Sequence, residues 1–155
     1  MAIVNDIYAF LNEIAPVRYQ MDFDNAGFLV GDGGTAVKKT LLDITDDVIA
    51  EAVELRAQLI VSHHPLIFTP LRHATTDDLA GRKVLVLARH GISAICMHTN
   101  LDAADGGVND CLAKKLGLND VFLLNDEKIG RIGTLSCEKG LEEFLRDVIE
   151  LLGCG

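Results

Sequence analysis

Residues 59–65 read Leu-Ile-Val-Ser-His-His-Pro, and the arrangement of the chain can be worked out from this stretch. The wholly apolar run Leu59-Ile60-Val61 suits a buried parallel strand better than a half-exposed antiparallel one. Residues 92–97 form a second such run and predict the next strand. Helical patterns alternate with the strand patterns along the chain. We therefore predict an α/β fold in which a mixed, mostly parallel sheet is flanked by helices.

Periodicity and turn residues predict the remaining elements. Thr45 or Asp46 can cap one helix at its N-terminus, and Gly91 is well placed to end another. The predicted helices are 4–14, 46–56, 77–90, 108–116 and 141–152, and the predicted strands are 28–30, 39–44, 59–61, 92–97 and 131–135. No linker or repeat divides the chain, so we predict one domain over residues 1–155.

The composition indicates a globular chain and excludes several functional classes. Of the 155 residues, 49% are hydrophobic and 24% are charged, which argues against disorder. The net charge of −9 disfavours binding to nucleic-acid phosphates and favours metal cations. The apolar runs are too short to cross a bilayer, the N-terminus lacks a basic signal-peptide region, and the four cysteines form no CxxC pair. We expect a cytoplasmic protein with no membrane partner.

Candidate metal ligands follow two of the predicted strands directly. His63 and His64 come after the first strand, and the segment His98-Thr-Asn-Leu-Asp102 comes after the second. Ligand sites in open α/β sheets form beyond the carboxyl ends of the strands, so neighbouring strands bring such residues together. Imidazole and carboxylate are usual ligands of Zn²⁺, Fe²⁺, Mn²⁺ and Ni²⁺. We predict that His63, His64 and Asp102 bind two divalent ions, although His63 and His64 could instead bond to the backbone of a loop.

His98 has three chemically reasonable roles: metal ligand, hydrogen-bond donor to a ligand, and proton shuttle. We favour the last two and predict His98 as the catalytic residue. Asn100 and the glycines at 106–107 predict a loop, not a helix, after His98. Asp24-Asn25 in a glycine-containing stretch is either a tight turn or a pair that hydrogen-bonds the metal-ligating residues. His73 and His90 are expected on the surface.

Five segments together resemble the NIF-three-like (YbgI-type) family, whose members are widely labelled GTP cyclohydrolase I type 2 homologues. They are Asp24-Asn25-x-Gly27, Leu42-Asp43-Ile44-Thr45, residues 62–68 (SHHPLIF), residues 98–102 (HTNLD) and residues 106–110 (GGVND). The resemblance implies a di-metal centre whose first ligands correspond to His63, His64 and Asp102. It also implies a ring-shaped homo-oligomer, usually a hexamer. Metal-dependent hydrolysis of a nucleotide or cyclic amide, and regulatory or partner-binding roles, are attributed to the family.

One departure from the family pattern bears on the metal site. The resemblance implies further ligands, a His and a Glu four residues apart in a C-terminal part, and no His-x-x-x-Glu occurs in these 155 residues. We therefore expect a chain shortened at its C-terminus, with weaker metal binding and self-association through apolar surface at 141–152. Two hypotheses follow: a di-metal hydrolase acting on a small molecule, and a non-catalytic metal-binding scaffold or regulatory protein.

Overall fold

The structure is a computed structural model that describes residues 1–154. The chain folds into two compact units, Met1–Leu101 and Asp102–Gly155. The single domain expected over residues 1–155 stays a prediction.

A four-stranded sheet organises the first unit. Its strands are β1 (Gly27–Val30), β2 (Thr40–Leu42), β3 (Leu59–Ser62) and β4 (Ser93–Cys96). Their spatial order is β1-β4-β3-β2, with β2–β3 and β3–β4 parallel and β1–β4 antiparallel. The predicted α/β fold with a mixed, mostly parallel sheet is confirmed. The strands carrying the two histidine motifs are therefore neighbours.

Three helices of the first unit begin and end close to the predicted residues. They are α1 (Val4–Ile14), α2 (Asp46–Glu54) and α3 (Leu79–His90). The Thr45 side chain accepts a hydrogen bond from the Val48 amide at the start of α2, as an N-cap does. Gly91 ends α3 with φ of 64°, a left-handed conformation that glycine adopts without strain. Both predicted caps are confirmed.

The core of the first unit lies between the sheet and its helices. β3 contributes Leu59 and Ile60, which have no solvent exposure, and β4 is buried along its whole length. Leu87 of α3 and Ala52 of α2 pack in the same region, also without solvent exposure. Because both faces of β3 and β4 are buried, their sequences are continuous apolar runs and do not alternate between apolar and polar residues. The last residues of the two strands, Ser62 and Cys96, are consequently buried as well.

The helix α4 (Thr99–Ala103) corrects the loop predicted after His98. The Leu101 amide donates to the His98 carbonyl (2.8 Å), and the fully buried Asn100 side chain donates to the Ala15 carbonyl (2.7 Å). Asparagine favours loops when its side chain bonds to the nearby backbone. Here a distant carbonyl takes that bond, so the chain turns into a short helix.

The second unit contains two helices and a hairpin sheet. α5 (Val108–Lys115) and α6 (Leu141–Leu152) follow the predicted helices 108–116 and 141–152. The antiparallel pair β5 (Asn119–Leu123) and β6 (Arg131–Thr134) includes one predicted strand, β6, and one that was not predicted. No helix within residues 1–154 is long and apolar enough to cross a membrane.

Candidate metal centre

The parallel pairing of β3 and β4 determines where the histidines lie. Ser62, the last residue of β3, is paired with Cys96, the last residue of β4. The pairing extends one step further, because the Met97 amide donates to the Ser62 carbonyl (2.9 Å). His63 and His98 therefore leave the same edge of the sheet within a residue or two of the strand ends. This is the edge at which the sequence predicted a site.

His63, His64 and His98 form a cluster that could hold a metal ion. One ring nitrogen of each lies within 4.8 Å of the others. The ring centroids are 5.1 Å apart for His63–His64, 5.2 Å for His63–His98 and 5.6 Å for His64–His98. His63 and His98 are half-buried and His64 is exposed. Three imidazole nitrogens in one small volume suit a first-row divalent cation, so the donor chemistry fits the predicted metal.

Two side chains from the strand ends fix the backbone of the His63-His64 pair. The Ser62 hydroxyl donates to the His64 carbonyl (2.8 Å), and the Cys96 thiol donates to the His63 carbonyl (3.1 Å). Burial raises the pKa of the Cys96 thiol to about 12, and the negative charge of Asp24 adds to this effect. The thiol therefore keeps its proton at neutral pH. Cys96 thus supports the backbone of His63.

Asp24 orients His98. Its Oδ1 lies 2.8 Å from His98 Nδ1, and its Oδ2 accepts the Thr99 amide (3.1 Å) and the Thr99 hydroxyl. The Asp24 side chain has no solvent exposure. Of the two interpretations of Asp24-Asn25, the structure favours hydrogen bonding to a histidine of the site over a turn alone. Asn25 contributes separately, because its Nδ2 donates to the Ile67 carbonyl (2.6 Å).

The charge on Asp24 determines which nitrogen of His98 is available. Burial raises the pKa of Asp24, but hydrogen bonds from Thr99, His98 and the Asn25 amide outweigh it and hold the pKa below its ordinary value. Asp24 is thus ionised and can only accept, so His98 Nδ1 carries the proton. In a neutral imidazole with this tautomer, Nε2 is the nitrogen of His98 that can bind a cation or accept a proton. A carboxylate behind a histidine is the usual arrangement in metal sites.

Two aromatic side chains beside the cluster were missed by the sequence reasoning. The Phe68 ring meets the His98 ring edge-on at a centroid distance of 6.5 Å, and Phe23 packs against Phe68 at 6.4 Å. Both are at least half exposed. An exposed phenylalanine beside a polar cluster offers an apolar surface to a ligand ring. Nothing in the local sequence of either residue separates it from an ordinary loop phenylalanine.

The remaining predicted residues are Asp102, His73 and His90. Asp102 is in α4, four residues after His98, and it begins the second unit, where its carbonyl accepts a hydrogen bond from Asn109 Nδ2 (3.0 Å). Its role as a metal ligand stays a prediction. His73 and His90 are exposed, as expected.

The sequence from residue 2 to 155 matches the family model described as Duf34/NIF3 (NGG1p interacting factor 3). The chain belongs to the Duf34/NIF3 family. Curated relatives in this family bear the name GTP cyclohydrolase 1 type 2 homolog. The one from Clostridium perfringens is 39% identical over 97% of this chain and 60% of its own length. The one from Bacillus subtilis is 39% identical over 96% of this chain and 41% of its own length.

Solved structures share the fold of this chain. Reduced HcgD from Methanocaldococcus jannaschii superposes with a TM-score of 0.84 at 30% identity, over 96% of this chain and 59% of that one. The Bacillus cereus protein related to NIF3 superposes with a TM-score of 0.74 at 35% identity, over 79% of this chain and 34% of that one. The chain therefore spans about 60% or less of the length of the relatives named here.

Proposed function

We propose that this Duf34/NIF3 chain binds divalent metal ions through His63, His64 and Asp102 and acts as a metal-dependent hydrolase on a nucleotide or cyclic amide. The observation that supports the proposal is the approach of three imidazole nitrogens to within 4.8 Å of one another at the carboxyl ends of β3 and β4. The name of the curated relatives supports the substrate class. When bound, a divalent cation supplies Lewis acidity and lowers the pKa of water.

The protein's own residues have separate tasks in this proposal. His63 and His64 present neutral imidazoles from a backbone fixed by Ser62 and Cys96. His98 accepts a proton at Nε2, because Asp24 holds the other proton on Nδ1. The ionised Asp24 stabilises the imidazolium that this transfer creates. Phe68, beside the His98 ring, offers an apolar contact to a substrate ring.

Metal reconstitution tests the proposal. The chain is stripped with a chelator, reloaded separately with Zn²⁺, Mn²⁺, Fe²⁺ or Ni²⁺, and assayed with GTP and with a generic phosphoester. We expect turnover only after reloading, and its loss in His63→Ala and His64→Ala. His90→Ala is the matched control, since His90 is exposed at the end of α3. Equal turnover in the stripped and the reloaded chain would refute the hydrolase.

The metal content of His98→Asn separates the two roles of His98. If His98 is a proton acceptor, the His98→Asn variant keeps its bound metal while its turnover falls. If His98 is a ligand, the variant loses both the metal and the turnover. We expect the first result for the catalytic role proposed here.

A second candidate is a non-catalytic, metal-binding oligomeric scaffold, such as the hexamer that the family resemblance implies. Exposed apolar side chains of the second unit favour it, including Phe122 (61% exposed) and Leu141 (74% exposed). This candidate predicts metal-dependent assembly without turnover of any substrate. Size measurements of the stripped and reloaded chain, made beside the turnover assay, distinguish it from the hydrolase.

A further inference from the structure

A cavity of about 360 Å³ adjoins the histidine cluster on the side of His64. Its polar lining comes from His64, Asp43, Thr45 and Lys83, and its apolar wall includes Leu66. The volume lies in the lower part of the range of small-molecule sites, roughly 300–1,000 Å³. All of these residues belong to the first unit. A ring of heterocycle size therefore has space directly beside the predicted metal ligands.

Asp43 is placed at this cavity by an unusual backbone conformation. Its φ is 71°, in the left-handed region, which costs an L-residue free energy and which aspartate tolerates better than most. The Asp43 Oδ1 accepts the Ile44 amide (2.7 Å), so one oxygen is fixed locally. Within residues 1–154, Oδ2 accepts no hydrogen bond from another residue. A fixed carboxylate with one free oxygen in a cavity is an acceptor for a ligand N–H.

Lys83 supplies the complementary group. The half-buried ammonium donates to the Ile44 carbonyl (2.9 Å) from α3, which leaves two of its N–H donors for other acceptors. Asp43 and Lys83 are thus anchored on the amide and the carbonyl of the same residue. They form no ion pair with each other among the described residues, so each keeps donors or acceptors for a ligand. The cavity lining therefore includes one carboxylate acceptor and one charged donor, both bonded to the backbone of Ile44.

A cyclic amide matches this pair, because its ring N–H adjoins its carbonyl oxygen. We propose that Asp43 and Lys83 are specificity-determining residues that bind the –NH–C(=O)– edge of a 6-oxopurine ring, with the N–H donated to Asp43 and the oxygen accepting from Lys83. The inference rests on the proposed function, since it takes the adjoining histidine cluster as the place where the ring reacts. Adenine has the opposite pattern, an N1 acceptor beside an amino donor. In the same position, adenine would place its N1 lone pair opposite the Asp43 carboxylate and its amino group opposite the Lys83 ammonium, so neither hydrogen bond could form.

Equilibrium binding to the chelator-stripped chain tests the inference without any catalysis. Calorimetry compares GTP and ITP, which carry the cyclic-amide edge, with ATP and N1-methyl-GTP, which do not offer it to Asp43. GTP, ITP and ATP have equal charge, so the repulsion from a chain of net charge −9 cancels in the ratio of dissociation constants. We expect GTP and ITP to bind about tenfold or more tightly than ATP, from two charge-assisted hydrogen bonds.

Asp43→Asn is the decisive variant. Asparagine tolerates the left-handed conformation and still accepts the Ile44 amide, so the fold is retained, which circular dichroism checks. We expect the preference for GTP over ATP to disappear, and Lys83→Gln to weaken GTP binding more than ATP binding. Asp47→Asn in α2 is the matched control, because Asp47 is exposed and outside the cavity.

Equal binding of GTP and ATP, absence of GTP binding, or a preference that survives Asp43→Asn each overturns the inference. None of these results depends on metal or turnover. A metal-reloaded chain that prefers GTP through Asp43 but hydrolyses neither GTP nor the other substrates assayed refutes the proposed hydrolase and leaves the inference standing.

Discussion

His98 shows how the site is assembled from single residues distant in the sequence. The sequence places His63, His64 and His98 at strand ends because strand patterns and motifs are local signals. The hydrogen bond from His98 to Asp24 spans 74 residues, so the sequence offered it only as one of two interpretations. The contact of Phe68 with His98 has no local signal at all. Residues that act through packing are therefore found only once the fold is known.

The Asp24–His98 pair gives a prediction at the residue scale. Asp24→Asn removes the charge that keeps the proton on His98 Nδ1, and we expect turnover to fall about 10- to 100-fold with little change in metal affinity. Competition with a chromogenic chelator measures the affinity. Asp22→Asn is the control, because Asp22 is exposed and near in sequence. Unchanged turnover in Asp24→Asn would show that the carboxylate does not act on the site.

At the scale of elements, the helices with a long apolar stripe and the buried strands were predicted closely, whereas β5 and α4 were not. α1 and α6 have the predicted bounds, because each carries a long apolar stripe. β5 was missed because every residue in it is exposed and Asp120 has φ of 48°, so no buried alternation marks it. α4 was missed because the carbonyl that Asn100 binds comes from Ala15. Local patterns thus predict elements whose stability is local.

The end of α3 allows a direct test of its glycine cap. Gly91→Ala places a Cβ where no atom lies within 4 Å, so the only cost is the left-handed conformation. We expect a loss of about 1 kcal/mol in the free energy of unfolding. Urea denaturation measures it, and Gly91→Asn is the control that should recover part of the loss. If Gly91→Ala were as stable as the unsubstituted chain, the backbone at residue 91 would not need the left-handed conformation, and the expectation would be wrong.

The link between α5 and β6 makes stability depend on pH. Arg131 hydrogen-bonds Asp110 and lowers the pKa of that carboxyl below its ordinary value, and the Gly106 amide (2.6 Å) acts in the same direction. A lowered folded-state pKa stabilises the protein above the unfolded pKa of about 3.9, and the contribution is lost as pH falls through the folded value. We expect Asp110→Asn to lower the urea midpoint at pH 7 and to reduce its fall towards pH 3.

The control for this pH dependence is Asp105→Asn, at an exposed position of the same loop region. It should leave the midpoint at pH 7 nearly unchanged. Equal acid sensitivity of Asp110→Asn and the unsubstituted chain would exclude the Arg131 pair as a source of stability.

At the scale of the whole molecule, the charge and the exposed apolar surface have opposite effects on association. The net charge of −9 keeps copies apart, whereas α6 exposes apolar side chains that include Leu141 and Leu145. The sequence predicted both the net charge and the apolar surface, since the apolar stripe of α6 follows from the spacing of its residues. We infer that the apolar surface dominates at physiological salt, where charge repulsion is screened.

Self-association through α6 is therefore expected. Leu145→Gln should weaken it by about tenfold or more in the association constant, since burying a leucine contributes about 1.5–3 kcal/mol. Light scattering after size-exclusion chromatography measures the molar mass over a concentration series. Glu143→Gln on the same helix is the control. A monomer at all concentrations, or an oligomer insensitive to Leu145→Gln, would contradict the expectation.

The central claim is that the site at the ends of β3 and β4 holds a divalent metal with His63 and His64 among its ligands. Equilibrium dialysis against Zn²⁺ followed by elemental analysis measures it most directly, on the unsubstituted chain, His64→Ala and His90→Ala. We predict bound zinc in the unsubstituted chain and in His90→Ala, and at least a roughly tenfold weaker affinity in His64→Ala, in line with the loss of a ligand. Zinc bound equally by His64→Ala, or no zinc bound by any of the three, would contradict the claim.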